Sequence, residues 1–204
     1  MTTAPQHSAT CPTHPGQKPG KPLEALRALA VVALPVILAV ALQRISIEQP
    51  LKAGDAAPNL VLQDMNGGTI SLPALYSRRL AVLFFSADCP HCRTELENAD
   101  KLRQILGGRI QFLLITTSDR AKVKSLVDSL GIRITVAIDD KGRAQSAFGV
   151  FTVPAWYLIN TRGAVHTSSF GERALDARRE QLESFLRASA NGAHVLAGSR
   201  QQGV

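Results

Sequence analysis

Residues 80–97 read LAVLFFSADCPHCRTELE, and this stretch decides what kind of domain the chain can form. Leu80 to Phe85 is an uninterrupted apolar run, the pattern of a central strand covered on both faces. Cys89 and Cys92 follow shortly after. From His91 to about Leu106 the apolar spacing is helical, until Gly107 and Gly108 stop it. A strand that runs into a helix in this way puts Cys89 at the helix mouth, with Pro90 near the first helical position, where proline is favoured. Unpaired N–H groups and the positive end of the helix dipole stabilise a thiolate there. Cys89, the more N-terminal sulfur, is therefore expected to face solvent and attack. Cys92, one turn inward, is expected to resolve the resulting mixed disulfide. The first turn of a helix also brings β-carbons at i and i+3 close enough to be bridged.

Two other readings of the pair are weaker. A zinc site would need two more ligands. The histidines are His7, His14, His91, His166 and His194, and none makes a second ligand pair at metal spacing, so no metal is expected. A purely structural bridge would close a three-residue loop and so constrain the unfolded chain little. The third cysteine, Cys11, lies in a polar leader, and three cysteines are too few for a disulfide scaffold.

Farther out, the 204 residues suffice for one ordinary domain plus appendages, and 45% apolar composition is enough for a core. The formal charge of +7 is spread through helix-like segments and both tails, without an aromatic-interleaved basic patch. That argues against a nucleic-acid partner. Residues 1–22 are rich in Pro, Gly and Thr and lack periodicity, so they read as a disordered leader. Residues 23–45 contain a charge-free run from Ala28 to Leu42, flanked by Arg27 and Arg44, which can snorkel. This is read as a transmembrane anchor, with Lys18, Lys21 and Arg27 keeping the leader in the cytoplasm. The rival is a cleaved signal sequence, for which Ala39-Val40-Ala41 has the required form. Either way the rest of the chain leaves the cytoplasm.

After a joint at 46–52, residues 53–190 alternate between strand and helix patterns, and 191–204 read as a flexible tail. Asn59 to Leu62 and Thr69 to Ser71 flank Asn66-Gly67-Gly68 and suggest a hairpin. Ile110 to Thr116, Thr135 to Ile138, Trp156 to Ile159 and Val165 to Ser169 are further strands. Asp119 caps an expected helix that ends at Gly131, Lys141 to Phe148 holds one or two helical turns, and Leu175 to Ala190 forms the last helix. The expected fold class is α/β: a three-layer sandwich with a mixed central sheet.

The segment FFSADCPHCRTELE resembles the active-site segment of thioredoxin-fold proteins. Residues 51 to 190 are similar to the membrane-anchored TlpA/ResA-like thiol–disulfide oxidoreductases of the redoxin group. GDAAPNLVLQDMNGGTISL matches that group's entry segment, and FGVFTVPAWYLINTRGAV matches the segment carrying a cis proline beside the cysteines. The resemblance implies a cis bond before Pro154, which would hold the backbone at Val153 open to a client strand. It implies a helix acid at Glu95, partly buried with a raised pKa and able to carry a proton for the exchange. Pro90 and His91 would meet the client. Three departures stand out: Asp88 replaces the usual tryptophan, Glu97 a common proline, and Leu83 the buried aspartate of thioredoxin. Pro-His between the cysteines matches strongly oxidising DsbA. His91 favours the thiolate and Asp88 opposes it, so the direction of electron flow stays open.

The function this implies is exchange of electrons with cysteine pairs of client proteins through a redox-active Cys89–Cys92 disulfide, without a cofactor. Clients could be apocytochrome c, a copper-site cysteine pair or a folding secreted protein, with a membrane redox partner supplying or removing electrons. Two alternatives use the same thiols. One is a redoxin-type peroxidase, although Ser86-Ala87-Asp88 lacks the expected threonine. The other is a copper chaperone or assembly factor binding Cu(I).

Overall fold

The computed structural model describes Pro35 and residues 49–198. The leader, the anchor or signal segment apart from Pro35, Cys11, and residues 199–204 lie outside the described residues. Among those described, no helix is long and apolar enough to cross a membrane. The chain divides into two compact units, Met1–Ile47 and Glu48–Val204, and every element below belongs to the second.

The apolar run forms β3 (Leu80–Phe84), in which every residue is buried. Strand alternation sends Leu80, Val82 and Phe84 to one face, and Ala81, Leu83 and the following Phe85 to the other. Each face needs its own cover. On the second face lie α2 (Pro90–Leu106), α3 (Arg120–Leu130) and α5 (Leu175–Gly198), contributing Leu96, Leu102, Val123, Val127, Leu182 and Phe185. On the first lie α1 (Leu72–Leu75) and α4 (Arg143–Ala147), with Leu72, Ala144, Phe148 and Val150. Helices on both faces of the sheet give the expected sandwich.

The sheet has seven strands in the order β2-β1-β5-β4-β3-β6-β7. β4 (Gln111–Thr116) runs parallel to β3 and to β5 (Thr135–Ile138). β6 (Ala155–Ile159) is antiparallel to β3 and to β7 (Val165–Phe170). The hairpin of β1 (Val61–Asp64) and β2 (Thr69–Ser71) joins antiparallel to β5. One register matters for function: Phe84 at the end of β3 pairs with Ala155 at the start of β6. Pro154 and Val153 therefore lie beside the turn that leads from β3 to Cys89.

The structure departs from the sequence pattern at several ends. The first hairpin strand runs Val61–Asp64 rather than Asn59–Leu62, because Leu60 uses its carbonyl to accept from Leu72 N–H. The Asp64 carboxylate accepts from the N–H groups of Asn66 and Gly68 and closes the turn at the expected Asn66-Gly67-Gly68, so only the first strand is shifted, by two residues. The short helix α1 had no sequence counterpart. The last helix continues to Gly198, so residues 191–198 are helical instead of forming a loose tail. The Gly-Asp-x-Ala-Pro segment is stitched to the start of β7, with Gly54 N–H donating to Val165 O and Ala57 N–H to Gly163 O, both at 2.8 Å.

Side chains fix the helix starts. Asp119 accepts from Ala121 and Lys122 N–H at the start of α3. Asp139, itself only 2% exposed, accepts from Ala144 and Gln145 N–H at 2.8 and 2.9 Å, orienting α4, which leads through Gly149 towards Val153. Replacing Asp139 with Ala should lower the unfolding free energy by about 1–2 kcal/mol, read by urea denaturation. A loss below about 0.5 kcal/mol would show that the cap does not hold α4.

Candidate active site

Cys89 is the N-cap of α2, with extended backbone (φ −98°, ψ 116°), and Pro90 opens the helix. Its carbonyl accepts the first helical bonds, from Cys92 N–H at 3.1 Å and Arg93 N–H at 3.3 Å. Its side chain is half-buried and packs partly on the apolar core. The sulfur thus sits at the helix's electropositive end, where N–H groups without intrahelical partners are concentrated.

Cys92, one turn inward, has no solvent exposure. Both cysteines are free thiols. Burial pushes the Cys92 thiol up from its ordinary 9.0 to about 12. The Ser86 N–H, which donates to Cys92 Sγ at 3.5 Å, acts in the opposite direction, while the Cys89 sulfur and the Glu95 carboxylate add to the rise. The two sulfurs therefore differ sharply in access and environment.

Glu95 lies one turn beyond Cys92 and is completely buried. Its Oε1 accepts from Arg173 N–H at 2.7 Å and from Arg178 Nη2 at 3.0 Å. Its Oε2 accepts from Trp156 Nε1 at 2.6 Å and Arg178 Nε at 3.2 Å. Four donors thus meet a group with about four acceptor positions. The resemblance implied a partly buried acid; here the carboxylate is completely buried and its acceptor positions are all used. Arg178 is as fully engaged as its partner. Besides Glu95 it donates to Ser169 Oγ, Gln181 Oε1 and Gly171 O, and its guanidinium lies 4.8 Å from the centre of the Trp156 ring. Burial draws Arg178 below the ordinary guanidinium range and Glu95 opposes this. It remains a cation.

The charges flanking Cys89 are each paired. His91 Nδ1 is 2.6 Å from Glu172 Oε2, and Asp88 accepts from Lys122 Nζ at 3.0 and 3.1 Å. The opposed influences of His91 and Asp88 on the thiolate are therefore each tempered by a counter-charge, in exposed positions where such pairs are weak. His91 and Glu172 also line a groove of about 600 Å³ together with Val153, Pro154, Gly171, Arg173 and Ala174. The Val153–Pro154 bond is cis. Among the described residues the N–H and C=O of Val153 have no hydrogen-bond partner.

The structure thus brings Cys89, Pro90, His91, Cys92, Glu95, Val153 and Pro154 to one end of the sheet. Sequence reasoning missed Trp156, Arg178, Glu172 and Lys122. For Arg178 a signal existed: with Leu182 and Phe185 it occupies i, i+4 and i+7, the apolar face of α5.

Comparison with known proteins bears on the family and the fold. The model of the AhpC/TSA family matches residues 53–168. The thiol–disulfide oxidoreductase ResA of Bacillus thuringiensis (strain Al Hakam) is 27% identical over 142 residues, covering 69% of this chain and 80% of ResA. A thiol:disulfide interchange protein of the thioredoxin family from Chlorobium tepidum superposes with a TM-score of 0.59 at 21% identity, covering 65% of this chain and 97% of that one. Peroxidoxin BcpB of Mycobacterium tuberculosis superposes with a TM-score of 0.60 at 22% identity, covering 68% and 97%. The fold is thioredoxin-like.

Two outcomes follow from the site. In the folded protein at about pH 7–9, below the value near 12 to which Cys92 is pushed, iodoacetamide should label Cys89 and spare Cys92, while denaturation exposes both. Equal labelling by mass spectrometry would contradict the asymmetry. Arg178→Met, which strands a buried carboxylate, should cost about 3–5 kcal/mol in denaturant unfolding. Combining it with Glu95→Gln should recover much of that loss.

Proposed function

The chain belongs to the AhpC/TSA family and is a thiol–disulfide oxidoreductase, and we propose that it works on the extracytoplasmic side of a membrane, exchanging electrons with cysteine pairs of client proteins through Cys89 and Cys92. The observation that carries this reading is the asymmetry of the two thiols: Cys89 is partly exposed at the helix N-terminus, and Cys92, one turn inward, is sealed from solvent.

In the reducing direction the Cys89 thiolate attacks a client disulfide. One client sulfur leaves as a thiol after taking up a proton, and the other is bonded to Cys89. Cys92 then gives up its proton and attacks the Cys89 sulfur. The Cys89–client bond breaks, the second client thiol leaves with a proton, and a Cys89–Cys92 disulfide remains. The groove along Val153, Pro154 and Gly171 adjoins this end of α2, and the unpartnered backbone groups of Val153 suit strand-like pairing with an extended client. Pro90 and His91 border the approach. A membrane redox partner restores the dithiol, or removes its electrons if the enzyme works as an oxidant.

Location follows from the N-terminal sequence. The apolar stretch within 23–45, preceded by Lys18, Lys21 and Arg27, supports an uncleaved anchor with the thioredoxin-like domain outside. Clients in such a compartment include secreted proteins and apocytochromes whose cysteines need a defined redox state.

The wild-type chain should accelerate insulin reduction by dithiothreitol, Cys89→Ser should return it to the uncatalysed rate, and Cys92→Ser should accumulate client proteins disulfide-bonded to Cys89. Full activity in Cys89→Ser would contradict this mechanism. Rapid oxidation of Cys89 by hydrogen peroxide without insulin reduction would favour a peroxidase.

A further inference from the structure

A second cavity adjoins the cysteine turn, and it shares no lining residue with the groove at Val153 and Pro154. It is a pocket of about 370 Å³ whose lining includes Ala87, Asp88, Arg93, Lys122 and Ser125. Cys89 lies between the two cavities in the chain: Asp88 before it lines the pocket, and His91 after it lines the groove. Arg93 is tied to Cys89 directly, its backbone N–H donating to the Cys89 carbonyl at 3.3 Å. The charges of the pocket are unequally committed. Asp88, which would repel an anion, is bound by Lys122 Nζ at 3.0 and 3.1 Å. Among the described residues the Arg93 guanidinium has one ion pair, with Glu97, and at 3.9 Å it is beyond hydrogen-bonding reach. A planar fork of N–H donors suited to a carboxylate is thus unused one helical turn from the nucleophile. Ser125 adds a hydroxyl to the same pocket.

We propose that this pocket is a carboxylate subsite: Arg93 receives an acidic group beside the cysteine of an incoming disulfide while Cys89 attacks, so that acidic disulfides are the preferred substrates. This rests on the function proposed above, with Cys89 as the attacking sulfur. The step itself is ordinary exchange. A bond forms between Cys89 and one substrate sulfur as the substrate S–S bond breaks, and the departing sulfur takes up a proton from water. The pocket adds selection. Lys122 serves it by occupying the Asp88 charge, which leaves Arg93 to set the sign of the site. An exposed cation of this kind acts on encounter and orientation, so its effect is modest and fades with salt. The carboxylate can come from an acidic residue of a protein client or from a small acidic disulfide such as oxidised glutathione.

The test uses the full-length chain carrying Cys92→Ser, in which each substrate stops as a mixed disulfide on Cys89 and is counted by mass spectrometry after an acid quench. Two matched pairs are compared at neutral pH. One is a peptide disulfide with Glu beside its cysteine against the same peptide with Gln; the other is oxidised glutathione against its ethyl ester. The readout is the acidic-to-neutral ratio of loading rates, compared between variants, so the intrinsic reactivities of Cys89 and of the substrates cancel. Adding Arg93→Gln should lower this ratio about threefold or more at low ionic strength, and the difference should fade at about 0.5 M salt. Adding Asp88→Asn instead, which releases Lys122 into the pocket, should raise the ratio.

A drop with Arg93→Gln in the peptide pair assigns the carboxylate to a protein client, and a drop in the glutathione pair alone assigns it to a small acidic disulfide. A lower ratio in Asp88→Asn overturns the proposal. So does a ratio that falls with Arg173→Gln and not with Arg93→Gln, because the anion would then be read in the groove. If Cys89 loads with none of the four substrates, the proposed function fails and this proposal with it; normal loading with a ratio that Arg93→Gln does not move overturns the proposal alone.

Discussion

A carboxylate with no contact with water holds this active site together. Burying Glu95 as an isolated anion would be prohibitive, and the chain makes it tolerable by converging donors from three elements. Trp156 reaches it from β6, Arg173 from the loop after β7, and Arg178 from α5. In satisfying one charge, these contacts bind the C-terminal helix and the groove loop to the helix that carries both cysteines. A buried ion pair of this kind is weak evidence for stability as such. Its value lies in geometry: each donor must be in place for the others to be used, so the loop Gly171–Ala174 and the first turns of α2 are held in register.

The rest of the site follows from how the sheet is ordered. β3 occupies an interior position with parallel β4 on one side and antiparallel β6 on the other. Because β6 begins where β3 ends, the chain entering β6 passes beside the cysteine turn, and there the cis bond before Pro154 leaves Val153 facing a groove. The same strand carries Trp156, paired with Leu83 on β3, and so delivers the indole N–H to Glu95. This strand and the residues that lead into it therefore supply both a groove edge and a buried support.

What could be read directly from the sequence was the part encoded locally. The run Leu80–Phe85, the glycines that stop helices, the capping Asp119 and the spacing of Cys89 and Cys92 each act over a few residues. The structure has them close to where the pattern placed them. The cis bond at Pro154 came from a resemblance, since no local rule distinguishes it from an ordinary strand-edge proline. The Glu95–Arg178 pair is separated by 83 residues, and an arginine within ALDARREQLE reads as a solvated helix face. Only its place on the stripe with Leu182 and Phe185 marked it as inward. Helix extension to Gly198 and the small helix at Leu72–Leu75 were hidden for the opposite reason, because short polar or proline-containing segments carry little periodicity.

The proposed function depends on the two sulfurs acting as one redox unit, with the exposed one opening a client disulfide and the sealed one completing the exchange. The most direct test is to equilibrate the protein in glutathione buffers of graded oxidation, quench with acid, and count the thiols remaining at each position by mass spectrometry. The account predicts a single transition in which the Cys89 and Cys92 thiols disappear together into an intramolecular disulfide. A stable population carrying glutathione on Cys89 while Cys92 stays a free thiol throughout the transition would contradict it.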